Sequence, residues 1–456
     1  MIKEKSFYKM FFLLTASLAL QNLLTYSVNM MDTLMLGRYA QNAMGGVSLC
    51  NQIQYLLQML VVGAGEGVVV LGSQYWGKGN LKPISSIIGI ALRFGGILSA
   101  ALFVLVLLVP EQLLSLLSND PSVVSQGAAY ARIICFTYII FTLTNILVTS
   151  LHSIGIVRIG YIISGSTLCI NVCLNYCLIY GNFGFPELGV RGAAYATLVS
   201  RCVELLIVLF YLKYREHTLN LTMYKLIHID RSYYRDYFHV SAPVLLNQAM
   251  WGIAQMVQTG ILGNLGGNVT AANAIAVQVF QILSVAAYGS ASASGIVVGK
   301  TIGSGKDSRL HQLVTTLQIL FLCIGICSGL AIFLLRIPIL MLFGSSLTES
   351  AHTMALQFML VLAFTTVGTS YQMACDSGII RGGGDTSFSA KMNTVSMWGI
   401  VVPGAALAAF VWKLSPAVVF FLLKWDQLYK IVPVVIRLRS WKWVKRVTRT
   451  DTFFTS

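Results

Sequence analysis

Charge is scarce in this chain. Of 456 residues only 16 are acidic and 31 basic, 10% in all, and proline is rarer still at nine. A soluble domain gives about a quarter of its residues to charge, so a water-facing surface of the ordinary kind is excluded. So few prolines leave long stretches in which nothing interrupts a helix. The remainder is apolar: 56% of residues are hydrophobic and the mean hydropathy is +0.75. The chain is expected to be an all-α integral membrane protein.

Recognisable chemistry is also missing. The nine cysteines lie almost entirely in apolar runs and make no metal-ligand pattern; Cys169, Cys173 and Cys177 share a helix face and read as small buried hydrophobes. The glycine turns "YWGKGNLK" (75 to 82) and "TIGSGKDSR" (301 to 309) lack the Walker spacing and follow apolar spans, so they read as tight turns and not as phosphate cradles. There is no cluster of acids or histidines of the kind a membrane enzyme needs. The chain is therefore expected to be no enzyme, to carry no cofactor, and to depend for any transport on an ion gradient.

Apolar runs of about 20 residues, the length that takes a helix across ~30 Å of hydrocarbon, number twelve. They lie near 11–36, 47–72, 86–109, 128–150, 160–181, 192–212, 237–262, 271–298, 313–335, 351–377, 390–412 and 416–436. The first is too long for a signal peptide and has no small-residue cleavage site, so it reads as a span. With the amino terminus inside, only Arg38, Arg191, Arg336 and Lys413 fall in outer segments, and most of the 31 basic residues fall in inner ones. This asymmetry places both termini in the cytoplasm. It also accounts for the net charge of +15 through the cytoplasmic leaflet, with no nucleic acid as partner.

The sequence repeats. A shift of 226 residues lays Leu20 on Leu246, Thr33 on Thr259, Gln52 on Gln278, and Gly77 and Gly79 on Gly303 and Gly305; a shift of 228 lays Pro110 on Pro338 and Gly155 on Gly383. Six spans per copy return the chain to its starting side, so both copies have the same orientation. The expected architecture is twelve transmembrane helices in two six-helix lobes related by a pseudo-twofold axis along the membrane normal, with a substrate cavity between the halves. The divisions are an amino-terminal lobe at 1–212, a cytoplasmic linker at 213–236, a carboxy-terminal lobe at 237–436 and a basic cytoplasmic tail at 437–456.

Polar groups inside the spans are the functional candidates. Asp32 sits six residues before Arg38, or ~9 Å below the outer end of its span. Asn175 stands six before Gly181, and Thr197 six after Arg191, at the same depth; Asn171 is one turn deeper than Asn175 on the same face. One carboxylate, two amides and a hydroxyl suit a small hard cation such as Na+, or a proton, and do not suit a soft metal. The plainer alternative is that the asparagines hold neighbouring helices together as polar glue. Gln258 stands opposite Asp32 in the repeat, which confines the site to the first half. Arg201 and Glu204 pair locally. Glu66 and Asp376 are second-rank candidates for protonation or substrate contact.

These residues bring a family into view. From "MMDTLMLGR" (30 to 38) through "NVCLNYCLIYGNFGFPELGVRGAAYAT" (171 to 197) to "IIRGGGDTSF" (379 to 388), the chain resembles the multidrug and toxic compound extrusion (MATE) family, prokaryotic type. The resemblance implies a twelve-span antiporter of two lobes that exports amphiphilic, often cationic organic compounds in exchange for Na+ or H+. It implies a cation site on Asp32, Asn171, Asn175 and Thr197. Two departures stand out: the first span has no proline, with Ser17 facing Pro243 of the other half, and "LLNQAMWGIAQMVQTG" in the seventh span has no carboxylate. The expected function is cation-coupled export of small organic substrates across the plasma (inner) membrane by a protein that works as a monomer. A flippase for a lipid-linked precursor is the alternative, with Arg93, Arg132 and Arg201 as its only intramembrane basic residues.

Overall fold

The computed structural model describes residues 2–39, 41–116, 120–219, 221–342 and 348–449. Every long element is a helix, and the described residues form no strand beyond one isolated bridge between Gly384 and Val444. In hydrocarbon a helix satisfies its own backbone donors and acceptors, which water would otherwise have to do. The first half comprises α1 (Lys5–Tyr39), α2 (Gln41–Lys78), α3 (Lys82–Leu108), α4 (Pro110–Ser115), α5 (Pro121–Ile134), α6 (Phe136–Ser153), α7 (Arg158–Tyr180), α8 (Val190–Tyr214) and the short α9 (Met223–Ile227). The second half comprises α10 (Tyr233–Gly263), α11 (Gly267–Leu283), α12 (Val285–Gly303), α13 (Asp307–Leu342), α14 (Glu349–Met373), α15 (Thr386–Val395), α16 (Val402–Ala406), α17 (Pro416–Lys424), α18 (Asp426–Tyr429) and α19 (Ile431–Arg439).

All twelve expected runs are helical. Among the described residues nine helices are long and apolar enough to cross a membrane, and a tenth span arises if α11 and α12, bent by 47°, are taken together. The seventh run lies in α10, which holds Pro243, and the twelfth is broken into α17, α18 and α19. Breaks coincide with identifiable residues: Pro110 and Pro121 open α4 and α5 in the first turn, where the missing N–H has no intrahelical partner to lose. Asp120 caps α5, accepting from the Ser122 backbone N–H at 2.9 Å. Beyond α14 the helix widens to π geometry over Ala374–Ile380, and again at Ser396–Val401 and Leu407–Val411.

Residues group into two compact units. One comprises 1–19, 73–80 and 242–456; the other comprises 20–72 and 81–241. The core of the first includes the stacked rings of Phe358 and Phe420, 4.2 Å apart, within a cluster drawn from α10 to α17. In the second, Gly192 near the start of α8 approaches α7 so closely that a Cβ there would stand 2.3 Å from the Leu178 carbonyl oxygen. The Leu188 N–H donates to that same carbonyl at 2.9 Å. This tight α7–α8 hairpin explains the "GNFGFPELGVRG" stretch: its glycines let two helices meet backbone to backbone.

The two glycine turns are turns. Gly79 and Gly305 have φ of +79° and +69°, the left-handed geometry that ends a helix and that only glycine adopts at little cost. The cysteine reading is corrected: Cys169 and Cys173 are exposed and Cys177 is half-buried. They are offset by two residues from Asn171 and Asn175, about 200° around the helix, so burying the asparagines turns the thiols outward. The expected basic tail begins inside α19, and its last residues, 450–456, lie outside the described residues.

Candidate functional site

Four helices of the second unit converge on Asp32. The carboxylate is half-buried on α1, and Asn171, Asn175 and Thr197, on α7 and α8, are almost wholly buried. The Asn175 side-chain nitrogen donates to Asp32 Oδ1 at 2.5 Å and to Asn171 Oδ1 at 3.0 Å; the Asn171 nitrogen in turn donates to Thr197 Oγ1 at 3.2 Å. The four residues singled out in the sequence thus form one hydrogen-bonded chain across three helices. Tyr180 ties the carboxy-terminal end of α7 to α1 by donating to the Met35 carbonyl at 2.7 Å.

With Asn175 standing behind them and not lining it, Asp32, Asn171 and Thr197 border a small polar cavity of about 20 Å³. That is room for about one water-sized particle. Val28 of α1, Asn51 and Gln54 of α2, Tyr130 of α5, Thr167 of α7, and Ser200 and Arg201 of α8 line it with Asp32, Asn171 and Thr197. Ser200 and Thr167 donate their hydroxyls to carbonyls of their own helices, at 2.7 and 3.0 Å. Their remaining lone pairs are thereby left free to face the cavity.

Among the described residues Asn175 Oδ1 is buried with no hydrogen-bond partner. A buried acceptor without a donor is costly, by roughly 1–3 kcal/mol, unless a positive or hydrogen-bearing guest completes it. One carboxylate, uncommitted amide and hydroxyl oxygens and a one-particle cavity fit a small hard cation or a protonated group. Among the described residues no three His, Cys, Asp or Glu side chains cluster as transition-metal ligands.

Arg201 balances the charge nearby. It pairs with Glu204 at 2.6 Å, as the spacing of three predicts, and its guanidinium also lies 5.1 Å from the centre of the Phe141 ring. Its appearance in the cavity wall was not foreseen, nor were those of Asn51, Gln54 and Tyr130. Nothing in their spacing separates them from ordinary helix residues.

The second-rank candidates lie elsewhere. Glu66 is half-buried on α2 and does not line the cavity. Asp376 belongs to the other unit, where the first π-helical segment holds it 97% buried. There it accepts from Ser389 at 2.7 Å and Asn393 at 2.8 Å, with Arg381 at 3.7 Å. Asn393 continues this network to Lys430, which pairs with buried Asp426 at 2.7 Å. Gln258, the repeat counterpart of Asp32, is buried and donates to the Met397 sulphur at 3.1 Å.

Known proteins resemble the chain over nearly its whole length. The MatE family profile matches residues 17–177 and 243–407, one match in each half, the two starting 226 residues apart as the repeat does. The chain is 26% identical over 441 residues to the probable multidrug resistance protein NorM of Thermotoga maritima, covering 94% of this chain and 92% of that one. It is 25% identical to the probable multidrug resistance protein YoeA of Bacillus subtilis, covering 90% and 89%. In fold it superposes on a crystal structure of the Vibrio cholerae MATE transporter VcmN with a TM-score of 0.86, at 18% identity and covering 96% and 98% of the two chains.

Proposed function

Since this chain belongs to the MatE family, whose members are multidrug efflux transporters of the membrane, we propose that it exports amphiphilic, often cationic organic compounds in exchange for Na+ or H+. The observation that carries the proposal is the buried chain from Asp32 through Asn175 and Asn171 to Thr197, with its unpartnered Asn175 oxygen.

A ligand shifts a conformational equilibrium only by binding its two states differently. Asp32 supplies that difference. Without a positive guest, a half-buried carboxylate held by one amide is poorly compensated; with a guest, the amide oxygens and the Thr197 hydroxyl complete its shell. Entry of an ion from outside thus favours the arrangement in which α1, α7 and α8 close on it, and release of the ion inside undoes it. Coupling follows when the substrate prefers the state the ion disfavours. The excess of Lys and Arg in the inner segments supports a cytoplasmic location for both termini in the plasma (inner) membrane we propose, and a single chain contains the whole site, which supports action as a monomer.

The test is a growth-inhibition panel of cationic dyes and antibiotics in an efflux-deficient host. Expression of the chain should raise tolerance to several of them, and Asp32→Asn should not. Tolerance unchanged by the chain across the panel, at verified membrane expression, removes the proposal. The flippase alternative has little to recommend it: Arg93 and Arg132 are exposed, and the former is engaged by the Ile227 carbonyl and the latter by Glu111 at 2.6 Å.

A further inference from the structure

Three sequence stretches have so far found no function: the glycine turn after α2, the one after α12, and "RGGGD" at 381 to 385. Residues 75–80, 301–309 and 381–385 all belong to the first compact unit, as do residues 441–449. The carboxy-terminal segment is strapped down there. Trp443 is fully buried and donates to the Leu438 carbonyl at 3.2 Å; a Cβ on Gly383 would stand 2.3 Å from its ring. The Lys445 N–H donates to the Gly383 carbonyl at 2.8 Å. Beside it Asp385, 99% buried, receives Arg437 Nε at 2.8 Å and Lys445 Nζ at 2.6 Å.

The far side of the strap is held by the end of α2. Gln74 is wholly buried, and its amide acts as a neighbouring strand would: the nitrogen donates to the Lys445 carbonyl at 3.1 Å, and the oxygen accepts from the Val447 N–H at 3.0 Å. The Tyr75 hydroxyl accepts from the Arg449 N–H at 3.2 Å, and Lys78 donates to the Arg449 carbonyl at 2.7 Å. The same end of α2 packs on α12 without side chains between them, since a Cβ on Gly303 would fall 2.0 Å from the Gln74 carbonyl oxygen and one on Gly77 2.1 Å from that of Lys300.

α2 is one continuous helix, yet residues 41–72 group with one unit and residues 73–78 with the other. Whatever fixes residues 73–78 therefore restrains a helix that also carries Asn51 and Gln54 of the ion cavity. We propose that Gln74 is a positioning residue for transport: with the strap at 441–449 it forms a latch that holds the inner end of α2, and the latch must release in each cycle for the inner end to open. The inference rests on the transporter reading above. The clasp pairs a backbone carbonyl and a backbone N–H that leucine at position 74 would leave without partners, so its loss is read directly in how firmly the strap is held.

The strap carries its own reporter, because Lys442, Lys445, Arg446 and Arg449 are trypsin sites. The full-length protein, solubilised in detergent without substrate, is digested and the loss of the carboxy-terminal peptide is timed. Gln74→Leu should speed this cleavage about tenfold, the scale of two ordinary hydrogen bonds. Asp385→Asn, which loosens the strap from its other side, should speed it in the same direction. Both variants, reconstituted into vesicles, should export dye more slowly than the parent at equal protein, because a loosened latch shifts the equilibrium toward the open inner end and delays its closing. Cleavage of Gln74→Leu at the parent rate overturns the latch. So does fast cleavage with export at the parent rate, which reduces the strap to a structural tie. Because the cleavage assay contains no substrate, its outcome is independent of which compound the protein exports.

Discussion

Asn175 and Asp32 are joined by a 2.5 Å hydrogen bond between α7 and α1, and the same amide nitrogen also serves Asn171. One donor bridging two acceptors makes Asn175 the residue through which a change of charge on Asp32 reaches α7 and, through Asn171, Thr197 on α8. Under the proposed function the carboxylate would be the source of coupling and the amides its transmission.

Asp32→Asn separates these roles. The substituted amide oxygen can still accept from Asn175, so the helices should remain assembled and the melting temperature of the solubilised protein should stay within a few degrees. The negative charge is gone, however, so dye efflux driven by an imposed ion gradient should fall to background. Efflux at the parent rate would show that coupling resides elsewhere.

Gln258 offers the converse test. It stands opposite Asp32 in the repeat, and its side-chain nitrogen donates to the Met397 sulphur, with no carboxylate nearby in sequence to complete a cation shell. Gln258→Leu should lose one weak hydrogen bond, about 1 kcal/mol or less, and should leave gradient-driven efflux within about twofold of the parent. An efflux loss equal to that of Asp32→Asn would mean that both halves bind the coupling ion.

The Arg201–Glu204 pair should behave as a unit. Both side chains are largely buried, at 14% and 12% exposed. Removing one leaves the other charge uncompensated, which costs on the order of 3 kcal/mol. Arg201→Leu should therefore lower the melting temperature markedly, and Arg201→Leu with Glu204→Leu should recover most of the loss. Failure of the double variant to recover would assign Arg201 a partner in the cavity that matters more than Glu204.

Depth was the signal that exposed the site. Asp32, Asn175 and Thr197 could each be measured from a span end marked by Arg38, Gly181 and Arg191, and helical geometry did the rest. Tyr130, Asn51 and Gln54 had no comparable mark: one is among 20 tyrosines, and the other two precede the most apolar part of α2. The strap was hidden for another reason. Its basic residues suggested a solvated tail, and the burial of Trp443 depends on Gly383, some sixty residues earlier, a contact that no local periodicity encodes. The cysteines misled because an apolar run was taken to be buried on all sides, whereas in a membrane one side of a helix can face lipid.

The α7–α8 hairpin should be intolerant of any side chain at Gly192. A methyl group there would need to occupy space 2.3 Å from the Leu178 carbonyl oxygen, a backbone atom that cannot rotate away. Gly192→Ala should destabilise the protein by roughly 1–3 kcal/mol. Because the shift would draw Thr197 from Asn171, it should also weaken the apparent affinity for the coupling ion. A variant with unchanged melting temperature and unchanged ion dependence would show that the hairpin does not set the site's geometry.

The identity of the coupling ion turns on how many oxygens are engaged. A proton needs only Asp32, whereas dehydrated Na+ needs several neutral oxygens in addition, and among the described residues Asn175 Oδ1 is buried without a donor. The surplus favours Na+. A Na+ gradient alone, at fixed pH and with the proton gradient collapsed, should therefore drive dye efflux from vesicles. Asn175→Ala should raise the half-saturating Na+ concentration by about tenfold, since it removes both the spare oxygen and the donor that orients the carboxylate. Thr197→Val, which keeps the shape and deletes one hydroxyl, should raise it less. Efflux that follows the pH gradient alone and ignores Na+ would leave the four residues as a proton site, with the asparagines serving to hold Asp32 between its two protonation states.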